Sequence, residues 1–95
     1  MVAAASGIRL MEMPEPCAVS ILAIKAIADV QALPRICGLL AQFGVTPMTM
    51  TCRQAGVLLI IDVEFDSEQC DKPELLLAKM EALVQVRRAS MVTSG

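Results

Sequence analysis

The sequence predicts an α+β fold, a ferredoxin-like βαββαβ sandwich with a four-stranded antiparallel sheet and two helices on one face. The chain has 95 residues, which is the size of one domain. Segments with strand and helix periodicity follow one another in the order that this fold requires. Hydrophobic residues make up 56% of the chain, more than one small core hides, so we expect some of them to contact a partner.

The predicted folded domain spans residues 17–92, between a flexible lead (1–16) and a short tail (93–95). The first strand, 18–27, is apolar on both faces and is therefore expected at the centre of the sheet. A helix follows, which begins at Asp29 or Gln31 and ends at Gly44. Its apolar stripe recurs at steps of three and four residues: Leu33, Ile36, Cys37, Leu40 and Phe43.

The middle of the chain predicts a hairpin. Residues 45–54 alternate, with Met48, Met50 and Cys52 on one face, and Pro47 indicates an edge strand or a strand that begins as one. The face with Met48 and Met50 is expected to be core, with an adaptable contact surface as the alternative. Gly56 permits the turn. In the second arm, 57–65, the odd-numbered residues from Val57 to Phe65 are expected to face the core, and residues 66–72 form a polar loop.

A second helix is predicted to begin at Pro73 with Asp71 as its cap. Its apolar stripe comprises Leu76, Leu77, Met80, Leu83 and Val84. The last strand, 84–92, carries Arg87 and Arg88 on opposite faces. Because both helices cover the same side, the other face of the sheet is left bare, and Leu58 and Ile60 on it are candidate interface residues.

Composition argues against several classes of function. The net charge is −2 and the pI about 4.9, without a basic patch, so we expect no nucleic-acid partner. The apolar run 17–28 is too short to span a membrane and contains Lys25, which favours a cytoplasmic protein. Cys17, Cys37, Cys52 and Cys70 are widely spaced and histidine is absent, so no metal or other cofactor is expected. These cysteines are interpreted as reduced, small apolar side chains.

Several segments together resemble the ACT domain, a small regulatory module of amino-acid metabolism. The resemblance covers about residues 18–92 and is carried by Ala28–Leu33, Ile36, Leu39–Leu40, Phe43–Val45 and the strand with Met48 and Met50. The sequence 33–36, Leu-Pro-Arg-Ile, followed by Phe43-Gly44-Val45, looks most like the small subunit of acetolactate synthase. The family often has Asp-x-x-Gly after its first strand and an Asn before its second; here Asp29 and Ala32, and Thr46, stand at those places.

The resemblance implies a non-catalytic domain that forms a homodimer or larger homo-oligomer, with an amino-acid effector at the seam and a catalytic enzyme subunit of branched-chain biosynthesis as host. The implied ligand-binding residues are Asp29, Val30, Gln31, Ala32, Leu33 and Thr46. The alternative is a dimerisation or interaction module of the same fold without a small-molecule ligand. An enzyme is not expected, since no catalytic constellation is visible.

Overall fold

A computed structural model describes residues 18–94, and the predicted lead 1–16 lies outside them. The order of elements is the predicted one. The elements are β1 (Val19–Ile27), α1 (Ala32–Gln42), β2 (Thr49–Ala55), β3 (Leu58–Asp66), α2 (Pro73–Glu81) and β4 (Val86–Ser94). A short 3-10 helix, Ser67–Gln69, occupies part of the stretch that the sequence predicted as loop. Thr93 and Ser94, expected in a tail, are the last residues of β4.

The four strands form one antiparallel sheet in the order β2-β3-β1-β4. β1 is central, as its two apolar faces predict, and β2 is an edge strand, as Pro47 predicts. In register, Ile24 of β1 lies between Ile61 of β3 and Ala89 of β4. β1 and β2 both run antiparallel to β3, so they are parallel to each other.

One face of the sheet packs against the helices and forms the core. Because side chains alternate between faces, every second residue of β1 from Ser20 to Ala26 is buried there, as are Ile61, Val63 and Phe65 of β3. The core combines strand residues with residues of both helices: Leu22, Ile24, Ile61, Val63, Phe65, Ile36, Leu40, Leu76 and Met80. We call this side of the sheet the covered face. The buried apolar core of the domain lies against it.

The helix ends agree with the sequence in part. Gly44 follows the end of α1 and has φ 72°, a conformation that glycine adopts without strain. Pro73 is the first residue of α2, as predicted. The predicted cap Asp71 is wrong, because Lys72 occupies the cap position and makes no side-chain hydrogen bond. The cap of α1 is Gln31, also without a side-chain hydrogen bond.

Several predicted core residues are exposed. Val57 is 77% exposed in the hairpin turn and Val84 is 86% exposed, since α2 ends before it. Met48 is 52% exposed because it precedes β2. Cys37 and Cys52 are also exposed, although both were placed on apolar faces, and Cys70 is buried; all three are free thiols, and Cys17 lies outside the described residues.

The strand β2 is less covered than predicted. The expectation was a half-buried strand, yet all its residues except Met50 are exposed. The alternation is correct, since Met50 lies opposite Val63 on the covered face and packs against the core. Exposure follows from position at the sheet edge, beyond the reach of the helix layer.

Candidate functional site

The face of the sheet opposite the helices, here the exposed face, carries a regular pattern of side chains. The register aligns Arg53, Ile60, Lys25 and Arg88 in one row across all four strands. The neighbouring row holds Thr51, Asp62, Ala23 and Ser90. We call these the long row and the short row, because the first contains extended side chains and the second, small ones.

A cavity lies where the two rows meet. Its volume is about 220 Å³, and its lining includes Ala23, Ser90 and Asp62 of the short row with Lys25, Ile60 and Arg88 of the long row. Small side chains give the depression its depth and the long ones its rim. The cavity therefore combines two cationic groups with one carboxylate on a partly apolar surface.

The two predicted interface residues, Leu58 and Ile60, lie on this exposed face. Both are half-buried. Leu58 is paired with Ile27, and Ile60 lies between Arg53 and Lys25. Arg87 and Arg88 were predicted to point to opposite faces of the sheet. The register between β1 and β4 shifts between Lys25 and Ala26, next to these two arginines, and both are exposed.

The loop from Asp29 to Leu33 connects β1 to α1. The N–H of Ala28 donates to Val57 O at 2.8 Å and the N–H of Ile27 to Gln85 O at 2.8 Å, which fixes the loop beside the hairpin turn and the segment before β4. The N–H of Ala32 donates to Asp29 O at 2.9 Å. Among the described residues, the N–H groups of Val30 and Gln31 have no backbone acceptor. Both residues precede the first residue of α1, and backbone N–H groups at a helix N-terminus attract anions such as carboxylates.

The side chains of this loop divide into two kinds. Asp29, Val30 and Gln31 are exposed, Val30 to 84%. Ala32 is fully buried and belongs to the core. Its methyl group therefore packs into the core.

Thr46 lies far from this loop. It precedes β2, whose first residue Thr49 pairs with Glu64, whereas the loop follows Ile27, which pairs with Leu58. Glu64 and Leu58 are six residues apart in β3, which corresponds to about 20 Å along the strand. The backbone of Thr46 is held by Gln69, whose Oε1 accepts from its N–H at 2.6 Å. Within one chain the structure does not bring Thr46 and Asp29 together.

The described part of the chain offers few other sites. A shallow groove of about 300 Å³ lies on the helix side, lined by Arg35, Gly38, Leu39, Gln42 and Leu83. In residues 18–94, no group of three or more His, Cys, Asp or Glu side chains could hold a metal ion. No helix in this part is long and apolar enough to cross a membrane.

Sequence reasoning located the exposed face but missed the two rows. Lys25, Arg53, Arg88 and Asp62 come from four strands, and only the register brings them together. Alternation of polar and apolar residues assigns each residue to a face. It does not fix its position along the neighbouring strand.

Comparison with known proteins concerns the fold. No protein-family model and no curated protein matches the chain. Among solved structures, the ACT domain from GTP pyrophosphokinase of Chlorobium tepidum has a TM-score of 0.65 at 15% identity, covering 78% of this chain and 96% of that one. The C-terminal domain of the MgtC protein from Mycobacterium tuberculosis has a TM-score of 0.65 at 10% identity, covering 86% and 93%.

A third similar structure is a whole enzyme. Aspartate kinase from Clostridium acetobutylicum, described as an allosteric enzyme, has a TM-score of 0.59 at 18% identity, covering 79% of this chain and 18% of that one. The chain thus corresponds to a small part of that protein. Likeness at these identities establishes the fold, and the chain has the βαββαβ fold of ACT domains.

Proposed function

We propose that this chain is a non-catalytic, ACT-like regulatory domain that pairs with a second copy and binds an amino acid to regulate an enzyme of amino-acid biosynthesis. The observation that carries the proposal is the loop between β1 and α1. There the N–H groups of Val30 and Gln31 have no backbone acceptor within residues 18–94, and Asp29, which precedes them in the chain, is exposed. The fold, shared with a domain of an allosteric aspartate kinase, supports a regulatory role.

The loop matches the charges of a free amino acid. The N–H groups at the start of α1 would receive the α-carboxylate, helped by the positive end of the helix dipole. The carboxylate of Asp29 would receive the α-ammonium group. No acidic residue lies in the first turn of α1 to repel the anion.

The opposite positions of Asp29 and Thr46 suggest that the ligand lies between two copies. A two-fold axis that reverses the strand direction brings the loop of one copy to the end of the sheet where Thr46 of the other lies. Such a site is complete only in the pair, so an amino acid binding there would stabilise the pair and transmit its presence to a host subunit. We further propose a branched-chain enzyme, the acetolactate synthase type, as that host.

A second candidate function is an interaction module that pairs or docks without a small ligand. It is favoured by one observation: the two cavities described above lie on the exposed face and on the helix side, and neither is lined by Asp29, Val30 or Ala32. In this case Asp29 serves only to shape the entry to α1 through its backbone oxygen, which accepts from Ala32 at 2.9 Å.

Thermal unfolding with and without amino acids separates these functions. We expect valine, leucine or isoleucine at 100 times its dissociation constant to add about 2.7 kcal/mol of stability. For a domain of this size that corresponds to a rise in Tm of about 10 °C or more. Screening all twenty amino acids also tests the proposed branched-chain specificity.

The matched variants are Asp29→Ala and Asp71→Ala, which both remove an exposed carboxylate before a helix. Asp29→Ala should abolish the ligand-induced rise in Tm, and Asp71→Ala should leave it unchanged. If no amino acid raises the Tm of the wild-type chain, the ligand is excluded and the interaction module remains. Co-purification with a tagged large acetolactate synthase subunit tests the host.

A further inference from the structure

We propose that a second copy of this chain covers the exposed face, related by a two-fold axis that crosses the strands between the long row and the short row. The inference rests on the pairing in the proposed function and names its surface. In this arrangement each strand lies over the same strand of the partner, with reversed direction. Each residue of the long row then faces a residue of the partner's short row.

The sizes of the side chains support this axis. It places Lys25 over Ala23 of the partner subunit, Arg88 over Ser90 of the partner subunit and Arg53 over Thr51 of the partner subunit. Every long side chain thus meets a small one. The cavity of about 220 Å³ above Ala23 and Ser90 is the space that the partner's Lys25 and Arg88 would fill.

The charges support the same axis. Where β3 lies over β3 of the partner subunit, Ile60 faces Asp62 of the partner subunit. Register places Ile60 between Arg53 and Lys25, so the partner's carboxylate would lie between two cations. Within one chain, no side-chain hydrogen bond in residues 18–94 engages Lys25, Arg53 or Asp62. Within the described part of the chain these charges are available to a partner, and the symmetry repeats each contact.

Apolar residues extend the match beyond the two rows. Two positions further along β1, the axis places Ile27 over Ile21 of the partner subunit. Ile21 is 38% exposed although it lies in the central strand, and Val92 beside it is 64% exposed. Leu58, paired with Ile27, enlarges the apolar contact.

The size of the face fits a dimer. Three strands of nine residues and one of seven, at about 4.8 Å spacing, give a projected area of roughly 540 Å². Side-chain relief raises the accessible area toward the roughly 800 Å² that each partner buries in a stable complex. Two sheets packed face to face also keep their strands within about 30° of each other, so rows close to the axis stay aligned.

The test is a pair of charge-reversed variants of the full chain, Asp62→Lys and the double variant Lys25→Asp/Arg53→Asp. Sedimentation velocity is expected to show a wild-type dimer at micromolar concentration. Each variant alone brings like charges together twice, and its dimer should be at least about 100-fold weaker. In an equal mixture the introduced lysine of one variant meets the introduced aspartates of the other, and the heterodimer should regain wild-type affinity.

Two controls keep the outcome interpretable. Glu81→Lys reverses an exposed charge on α2, outside the face, and should dimerise like the wild type. Circular dichroism must show the same fold for all variants, and recovery in the mixture itself requires folded chains. Dimers of Asp62→Lys as tight as the wild type, or a mixture that stays monomeric, would overturn the proposal.

The outcomes also separate this inference from the proposed function. A dimer that is insensitive to both charge-reversed variants of the exposed face, and that still binds amino acids, overturns the face-to-face dimer and leaves the regulatory function intact. A dimer that responds to the variants as expected but binds no amino acid supports the face-to-face dimer and contradicts the proposed amino-acid binding. A monomeric wild-type chain overturns the face-to-face dimer and leaves the surface to a host enzyme or to residues 1–17.

Discussion

The two faces of the sheet are built from the same four strands but differ in what their side chains do. On the covered face, neighbours across the strands are apolar and buried, as Ile24, Ile61 and Ala89 show. On the exposed face the same strands bring Lys25, Arg88 and Asp62 around a cavity. Packing within one chain explains the first arrangement completely. The second has no such explanation, which directs attention to a partner.

The largest expected effect compares adjacent isoleucines of β3 that point to opposite faces. Ile61 is fully buried, and Ile61→Ala should lower the free energy of unfolding by about 2–5 kcal/mol. Ile60 is half-buried on the exposed face, and Ile60→Ala should cost about 1 kcal/mol in a dilute sample. Urea denaturation measures both.

Protein concentration sharpens this comparison. If a second copy covers Ile60, the destabilisation by Ile60→Ala should grow as the wild-type dimer becomes populated. The destabilisation by Ile61→Ala should stay constant, since that side chain contacts only its own core. Equal and concentration-independent losses for both variants would contradict the difference between the faces.

Two glycines, one inside α1 and one just after it, can be substituted to test how α1 contributes to the stability of the covered face. Gly44 has φ 72° with open space around it, so Gly44→Ala should cost about 1–2 kcal/mol through backbone strain alone. Gly38 lies inside α1, also in open space, and Gly38→Ala should add about 0.8–1.0 kcal/mol. Opposite signs in thermal unfolding are expected; a loss for both would place an unseen contact at Gly38.

The smallest expected effect compares two serines. Ser20 is 2% exposed on the covered face, and its Oγ lies 3.0 Å from Thr93 Oγ1. Ser20→Ala leaves that hydroxyl of Thr93 without its partner and should cost about 1 kcal/mol. Ser90 is exposed on the other face, and Ser90→Ala should change the unfolding free energy by less than about 0.5 kcal/mol. A similar loss for both serines would show that the hydrogen bond contributes little.

The sequence predicted the elements of the fold because periodicity and turn residues are local. Gly44, Gly56 and Pro73 stand where the chain turns or a helix begins. The errors arose where a pattern continued beyond its element. Val84 fits the stripe of α2 by spacing, but the helix has already ended, so the side chain is exposed.

The candidate site was harder to predict. The resemblance to ACT domains implied that Asp29 and Thr46 contribute to one ligand-binding site. Their separation follows from the parallel direction of β1 and β2, which places the end of one and the start of the other at opposite ends of the sheet. The rows of the exposed face depend on strand register, which one chain's local sequence does not specify.

The shift in register between Lys25 and Ala26 has a consequence for solubility. It leaves Arg87 outside the regular ladder of β4, an outer strand with an otherwise long row of backbone donors and acceptors. A strand from another molecule that tried to extend the sheet there would meet a kink and a charged side chain. Such an edge is a poor template for fibril growth.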